Sequence, residues 1–589
     1  MQAFRDQKKG YNYTNKILRP FIPILLPYVL ILMNTIFFAT TEVVWAPSML
    51  FKIAKKGILK LAKNWRGIQM GEYVNAWYDR IMGNRIKLWM NVDEFQTAYQ
   101  KLKSCNTQLF TFRTISELAK KVKKPIFISY VDLEKAFDKV NRNTMFRVLA
   151  NLGIGSRMLE ALKNLYRTTK VFFDGSEFVS TAGIRQGASS SVYLFIVFIN
   201  GLFKHLRNMF ANSVIFGPIH SLIHADDTLV IDDVNVDSLK SKVVATYEFF
   251  GTIDQSVNVG KSKYMRLDSS TKNSNPGPIN INGQLVKYTP KEQYLGHYIT
   301  DDNSLNNAIL CDLAERESNV IVKFRNFVNN NKSASMGDRL MVFQACFCGV
   351  ILSNCEAWGH CFPKKILSLY NRGLKMALEV RVGTPTALIF LETKQPAVLA
   401  MIRKRQLNFW QTLQKEEGRE LCNLISRAKD TKYIKHYIQL EETYGDPQSA
   451  FELTNNEFYR NTMDTLLNCR TEQTKLCIYK EIYHLTNEIP TTTFTLAETN
   501  ENRRKLLSRY VLSSHNLACV TSKWSGGNRA CKNCDINQDE TLKHFLFDCS
   551  AYTTIRSSYP GFPRTLQSFF EWESCGEALE KLHVARGDK

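Results

Sequence analysis

Two apolar, strand-like runs far apart in the chain each end on aspartate, and this pairing constrains the fold more than any other feature. The first is Phe127-Ile-Ser-Tyr-Val-Asp132-Leu-Glu-Lys-Ala-Phe137-Asp138, in which Ile126–Val131 is β-branched and aromatic and predicts a buried strand. The second is Ile223-His224-Ala225-Asp226-Asp227-Thr-Leu-Val-Ile, with a strand predicted at Leu229–Ile231. Between them lies a glycine-flanked turn, Gly183-Ile-Arg185-Gln186-Gly187. An aspartate at the end of a buried strand is held rigidly while its carboxylate faces a cleft. Adjacent aspartates repel unless something neutralises them. Hard divalent cations do so, and Mg²⁺ uses one or two protein carboxylates plus substrate phosphates. Two such ions about 3.5–4 Å apart activate an attacking hydroxyl and stabilise a leaving phosphate in an in-line displacement. Asp132 and Asp226 are the natural pair to bridge both ions, with Asp227 as a helper. An isolated Asp-Asp is ordinarily a solvated turn. Three segments in this order, each on a fitting element, are much harder to obtain by chance.

At 589 residues the chain is too long for one ordinary core, so several domains are expected. Its 77 Lys and Arg against 55 Asp and Glu give +22, a surplus that favours a polyanionic partner through counterion release. A solvated basic surface or an anionic membrane is the alternative, and composition does not separate DNA from RNA. Most of the 14 cysteines are scattered singly, as in a reduced intracellular protein, so nucleus and cytoplasm are the expected locations. Phe21–Ala39 is almost wholly apolar and follows Lys8, Lys9, Lys16 and Arg19, which resembles a signal peptide or a membrane span. Pro23, Pro27, Asn34 and the lack of an Ala-x-Ala site before Glu42 favour a buried core helix instead. Further short strands are predicted at Val171–Phe173 and Phe178–Thr181, and a long helix over Ser191–Phe210. A breaker stands at Asn275-Pro276-Gly277-Pro278 with an Asn282-Gly283 hairpin turn after it. From about Asp301 to Tyr510 the pattern is helical. Cys531-x₂-Cys534-x₉-His544-x₄-Cys549 offers three thiolates and an imidazole, the donor set of a tetrahedral structural Zn²⁺ site in a thinly filled module.

These motifs together resemble the reverse transcriptases of non-LTR retrotransposons, closest to the jockey-like group. Asn64-Trp65-Arg66-Gly67-Ile68 looks like a fingers motif and Asp93–Gln108 like the next block. Asp132–Val140 matches the first palm motif, Gly183–Gly187 the template- and nucleotide-contacting motif, and Ala225-Asp226-Asp227 the catalytic turn. Asn258 with Lys261-Ser262 resembles the following palm motif, and Tyr294-Leu295-Gly296 the hairpin that grips the primer end. Cys355–Gly359 and Arg403–Trp410 look like thumb and linker segments. The resemblance implies an α/β (α+β) right-hand polymerase fold with fingers, palm and thumb, a helical region and a small C-terminal zinc module. The corresponding divisions are 1–40 as lead-in, 41–300 as fingers and palm, 301–410 as thumb, 411–525 as helical linker and 526–589 as zinc module.

It implies RNA-directed DNA synthesis from a 3′-hydroxyl DNA primer on an RNA template, with dNTPs as substrates and two Mg²⁺ ions. Phe137 would pack under the sugar and exclude a 2′-hydroxyl. Arg185, Gln186 and Gly187 would approach template or nucleotide. Lys261 would protonate or neutralise the leaving pyrophosphate. Arg66, with Lys101 or Lys103, would clamp the triphosphate. The Cys531, Cys534, His544, Cys549 module would bind RNA or target DNA. Three departures stand out: Ala188-Ser-Ser-Ser191 replaces the usual Pro and Leu, His224 replaces an aromatic, and no arginine stands near Gln100. The fingers motifs fill most of the chain before Asp132 and only a short stretch follows Cys549, so no endonuclease domain is expected in this sequence. It reads as a truncated copy or one piece of a longer product, with an endonuclease supplied in trans as one option. The alternative is a nucleic-acid-binding remnant that has lost turnover. A membrane role for residues 21–39 is disfavoured once they are read as leading into the fingers.

Overall fold

Along the chain, α1 (Ile22–Phe38) precedes a hairpin of β1 (Ser48–Ala54) and β2 (Trp65–Met70), then α2 (Tyr73–Trp89), α3 (Cys105–Lys121) and β3 (Ile126–Val131). Helices α4 (Arg142–Asn151) and α5 (Ser156–Arg167) lead to the hairpin β4 (Lys170–Phe173) and β5 (Ser176–Val179). Helices α6 (Ser189–Ile199) and α7 (Gly201–Met209) lead to β6 (Ser221–His224) and β7 (Asp227–Asp232), then α8 (Val236–Thr252) and β8 (Lys263–Leu267). Two hairpins close the run, β9 (Ile279–Ile281) with β10 (Gln284–Tyr288) and β11 (Lys291–Tyr294) with β12 (His297–Thr300). The computed structural model describes residues 19–587 apart from 56–59, 62–63, 168, 269–275, 282, 416–417, 470–473 and 486–492. Lys8, Lys9, Lys16, Asn275 and Asn282 from the sequence reading lie outside the described residues.

The chain divides into two units: one runs to Ser304 and takes back Thr412–Lys435, the other holds Leu305–Gln411 and His436–Lys589. In the first unit the larger sheet has the order β6-β7-β3-β8-β10-β9. Every residue of β3 is buried, which is why that strand reads as continuously apolar rather than alternating. It pairs antiparallel with β7 on one side and β8 on the other. Helix α8 covers one face with Leu239, Val243 and Phe250. A smaller sheet, β2-β1-β4-β5, joins the two outer hairpins. After Thr300 no strand forms among the described residues, matching the helical pattern read from about Asp301.

Two expectations are corrected. The apolar segment Phe21–Ala39 forms a helix, but not a buried one: only Met33 and Ile36 of α1 are buried, while Ile24, Tyr28 and Ile31 are exposed. The helix packs along one edge against α5, and the Arg85 guanidinium of α2 lies over the Phe37 ring, 4.3 Å from its centroid. The run from Ser191 to Phe210 is not one helix, because it breaks at Asn200 between α6 and α7. Asn200 turns its side-chain oxygen to the backbone N–H of Asp93 at 2.9 Å. Gly201 then lets the Phe249 ring of α8 approach so closely that a Cβ would lie 3.1 Å from it. Ser189–Met209 is long and apolar enough to cross a membrane, yet it is mostly buried core.

In the second unit, Cys355–Gly359 meets the helix Val398–Leu413 as one joint. Trp358 is fully buried, Arg405 pairs with Glu356 at 2.7 Å, and the Gln406 amide donates to the Cys355 and Gly359 carbonyls.

Candidate active site

The β3–β7 ladder itself brings the carboxylates together. Val131 faces Thr228 across it, so continuing the antiparallel register by one residue sets Asp132 opposite Asp227. Asp226 sits in the two-residue turn that joins β6 to β7, where His224 pairs with Asp227. Ala225 enters that turn with φ +57°, a conformation that disfavours a Cβ. Its backbone N–H is held by the side-chain oxygen of Gln96 at 3.2 Å, and Gln96 is fully buried. The turn is therefore braced from the segment that precedes α3.

Asp226 and Asp227 stay solvent-accessible, while the protein around them displaces part of their hydration. That loss of hydration raises both pKa values. For Asp227 the charges of Asp226 and Asp132 add to it and push the value up to about 6. For Asp226 the Arg66 guanidinium works in the opposite direction. One oxygen of Asp132, Oδ2, is buried and takes no hydrogen bond, with the Lys261 ammonium 3.4 Å away as an ion pair. Lys261 is placed by the chain after α8, where Asn258 donates its N–H to the Asp132 carbonyl and accepts from the N–H of Lys261. The ladder and the turn bring three carboxylates into one region, and their oxygens are the kind of donor that hard divalent cations take.

The other predicted residues divide. Phe137 stacks on Phe195 of α6, ring centroids 4.4 Å apart. Gln186 donates to Asp138 at 2.8 Å, and its carbonyl accepts from the N–H of Gln69 on β2 at 2.7 Å. Gly187 has φ +109°, and a Cβ there would stand 2.8 Å from the Gln69 carbonyl, so only glycine admits this contact between turn and strand. Arg66 is exposed on β2 and reaches the field of Asp226. Arg185 departs from its expected role. It is buried, with its guanidinium donating to Asn75 at 2.8 Å and paired with Asp79 at 3.0 Å, both on α2. It anchors the turn from behind instead of facing the cleft. Lys103 is likewise engaged, donating to the Glu94 carbonyl at 2.7 Å.

The sequence reading places Gln96, Thr97, Tyr99 and Cys105 inside the Asp93–Gln108 block but gives none of them a role. Thr97 and Cys105 flank the His224 ring, with Thr97 Oγ1 2.9 Å from Nδ1 and Cys105 Sγ 3.3 Å from Nε2. Burial pulls the His224 pKa down, so the ring fits as a neutral hydrogen-bonding wedge where an aromatic was expected. Tyr99 lies close enough to Asp226 for that charge to raise its pKa, after burial. The residues of this segment carry no periodic signal, and only their non-local partners reveal them.

In the second unit Cys531, Cys534, His544 and Cys549 bring one ligand atom each within 4.8 Å of the others. Cys531 and Cys549 sulfurs are 3.8 Å apart, and Cys534 Sγ is 3.4 Å from His544 Nε2. The edges of a tetrahedron with metal–sulfur bonds of about 2.3 Å are roughly 3.7 Å, so the donors stand at the spacing one small ion needs.

Residues 53–299 match the family described as reverse transcriptase (RNA-dependent DNA polymerase). The Retrovirus-related Pol polyprotein from type-1 retrotransposable element R2 of Popillia japonica is 24% identical over 268 residues, 43% of this chain and 38% of that protein. Its counterpart from Bradysia coprophila is 24% identical over 194 residues, 32% of this chain and 22% of that protein. The chain thus spans well under half the length of either relative. Among solved structures, telomerase from Candida albicans in complex with a telomeric RNA fragment has a TM-score of 0.35 at 12% identity, covering 74% of this chain and 70% of that one. The ladder that sets Asp132 beside the Asp226-Asp227 turn falls inside the matched residues, and this chain carries a reverse transcriptase domain on a right-hand polymerase fold, related to those of non-LTR retrotransposons.

Proposed function

We propose that the chain is an RNA-directed DNA polymerase that extends the 3′-hydroxyl of a DNA primer on an RNA template with dNTPs. The observation that carries this reading is the register that sets Asp132 opposite Asp227 beside the braced turn holding Asp226. Asp132 and Asp226, helped by Asp227, would hold two Mg²⁺ ions, which supply activation of the primer hydroxyl and charge stabilisation at the leaving phosphate. Lys261, already paired with Asp132, is the candidate to neutralise or protonate pyrophosphate. Phe137, fixed by its stack on Phe195, supports the sugar. Gln186 and Gly187 present backbone and amide toward template, and Arg66 attracts the triphosphate. Arg185 acts as a positioning residue.

The Cys531, Cys534, His544 and Cys549 cluster is a structural Zn²⁺ site on this reading, and a jockey-like origin fits its spacing. The divisions into lead-in (1–40), fingers and palm (41–300), thumb (301–410), linker (411–525) and zinc module (526–589) belong to the same proposal. So does an intracellular, reducing location, which the free state of the cysteines supports.

Primer extension with purified protein on RNA and DNA templates tests the activity. Asp132→Asn and Asp226→Asn are each expected to lower incorporation by at least about 10²–10³-fold, the loss typical when a charge-stabilising group is removed. Unchanged synthesis by either variant would remove the site assignment. Salt-sensitive RNA binding without incorporation in Mg²⁺ or Mn²⁺ would identify a decayed remnant instead.

A further inference from the structure

A basic cavity of about 1000 Å³ lies between α4, α5 and the Ser180–Ala182 stretch, and it contains none of the three carboxylates. Its lining cations are Lys139, Arg142, Arg147, Lys163 and Arg167, against one carboxylate, Asp254. Arg142 forms the inner wall. All five of its N–H groups are used on neutral acceptors: the carbonyls of Gly183, Tyr166, Ser180 and Ala182 and the Ser180 hydroxyl. These bonds hold the guanidinium but do not cancel its charge, and burial lowers its pKa, as expected for a cation short of counter-charge.

The contacts available to a ligand come from the other four. Lys139 pairs with Glu134 and Lys163 with Glu160, in both cases as half-exposed surface pairs that are easily exchanged. Arg147 donates to the Thr144 hydroxyl, which in turn donates to Asp254. Arg167 is exposed and has no ion pair among the described residues. Lys163 and Arg167 stand one helical turn apart on the same face of α5, so two helices aim cations into one space.

We propose that this cavity is a second nucleic-acid contact, taking the phosphate backbone of an RNA strand outside the Asp132–Asp227 cleft. The space is much larger than one phosphate group and its cations are spread along two helices, which suits a strand better than a single anion. The aromatic rings at its wall, Phe146 and Tyr166, are buried and offer no platform for stacking bases. Binding is therefore expected to be independent of sequence and sensitive to salt. The same wall, Ser180–Ala182, runs directly into the Gly183–Gly187 turn, so a strand held here would steady that turn through Arg142.

The test is fluorescence anisotropy of a labelled single-stranded RNA with the full chain in EDTA, where no synthesis takes place. The triple variant Arg147→Gln/Lys163→Gln/Arg167→Gln is compared with Lys123→Gln/Lys124→Gln/Lys287→Gln, which removes equal charge from exposed sites elsewhere. The cavity triple is expected to bind at least about tenfold more weakly at about 0.1 M salt and to flatten the salt slope by about 2, since each single-strand phosphate contact contributes about 0.7. Equal losses in the two triples, or none in either, would overturn the proposal. So would unchanged RNA affinity in a cavity triple that has lost binding of tripolyphosphate, because the cavity would then take small anions only. Should the triple melt early, Arg167→Gln alone, at an exposed and unpaired side chain, is expected to flatten the slope by about 0.7. A protein that binds RNA through this cavity yet makes no DNA would fail the polymerase reading and leave this one standing.

Discussion

At Asp227 three effects add, because hydration is lost and the charges of Asp226 and Asp132 both oppose ionisation. Its value of about 6 lies above the roughly 3.9 of an unfolded chain, so the folded protein binds this proton more tightly. Without divalent ions, the stability that this one group contributes is fully present below about 4 and is lost as pH rises through about 6. Asp227→Asn should therefore raise the melting temperature of metal-free protein near pH 7.5 and leave it nearly unchanged near pH 4. A lower melting temperature at pH 7.5 would contradict this account. The same repulsion is what a bound cation relieves, so Mn²⁺ affinity of the unmodified chain should climb over that pH window. The neighbouring Ala225, at φ +57°, shows where the backbone carries strain to aim these side chains. Gln96 holds it there.

At the scale of elements, the Cys531–Cys549 module has the sharpest prediction. Metal analysis of purified protein should find one zinc per chain, and Cys531→Ser should lose it together with the helices packed nearby, read as a drop in helical circular dichroism. Zinc retained in full by that variant would rule the cluster out as the ligand set. This module was legible beforehand because its donors are close in sequence and sparing in type. β3 and β7 were legible too, since a buried strand carries a short, mostly apolar and β-branched run, Ile126–Val131 in one and Leu229–Ile231 in the other. What escaped depended on partners far along the chain. Arg185 looked like a ligand-facing arginine because Asp79, its counter-charge, sits 106 residues earlier. The helix α1 looked like core because apolarity states a preference for burial and cannot state whether a partner exists. The break at Asn200 follows from how close Phe249 comes to Gly201, a contact invisible to helical periodicity.

At the scale of the molecule, the first unit is discontinuous, with Thr412–Lys435 returning to it after the chain has left at Ser304. The returning segment is bound by several independent contacts. Glu94 accepts the N–H groups of Glu420 (3.0 Å) and Leu421 (3.4 Å) at the start of helix Arg419–Ala428, and Tyr433, fully buried, lies 5.5 Å from the Phe110 ring of α3. Tyr433→Ala is expected to cost about 3–5 kcal/mol, as for other buried aromatics cut back to alanine. The loss should show as faster hydrogen exchange across Cys105–Lys121, the helix that positions Cys105 against His224. Unchanged exchange there would mean that the returning segment is a passenger. The arrangement also bears on how the protein is made. A ribosome adding about 5–20 residues per second needs roughly 5–20 s to pass from Leu305 to Gln411. Throughout that interval the nascent polymerase domain waits with one face of α3 uncovered, which is when a chaperone would find it.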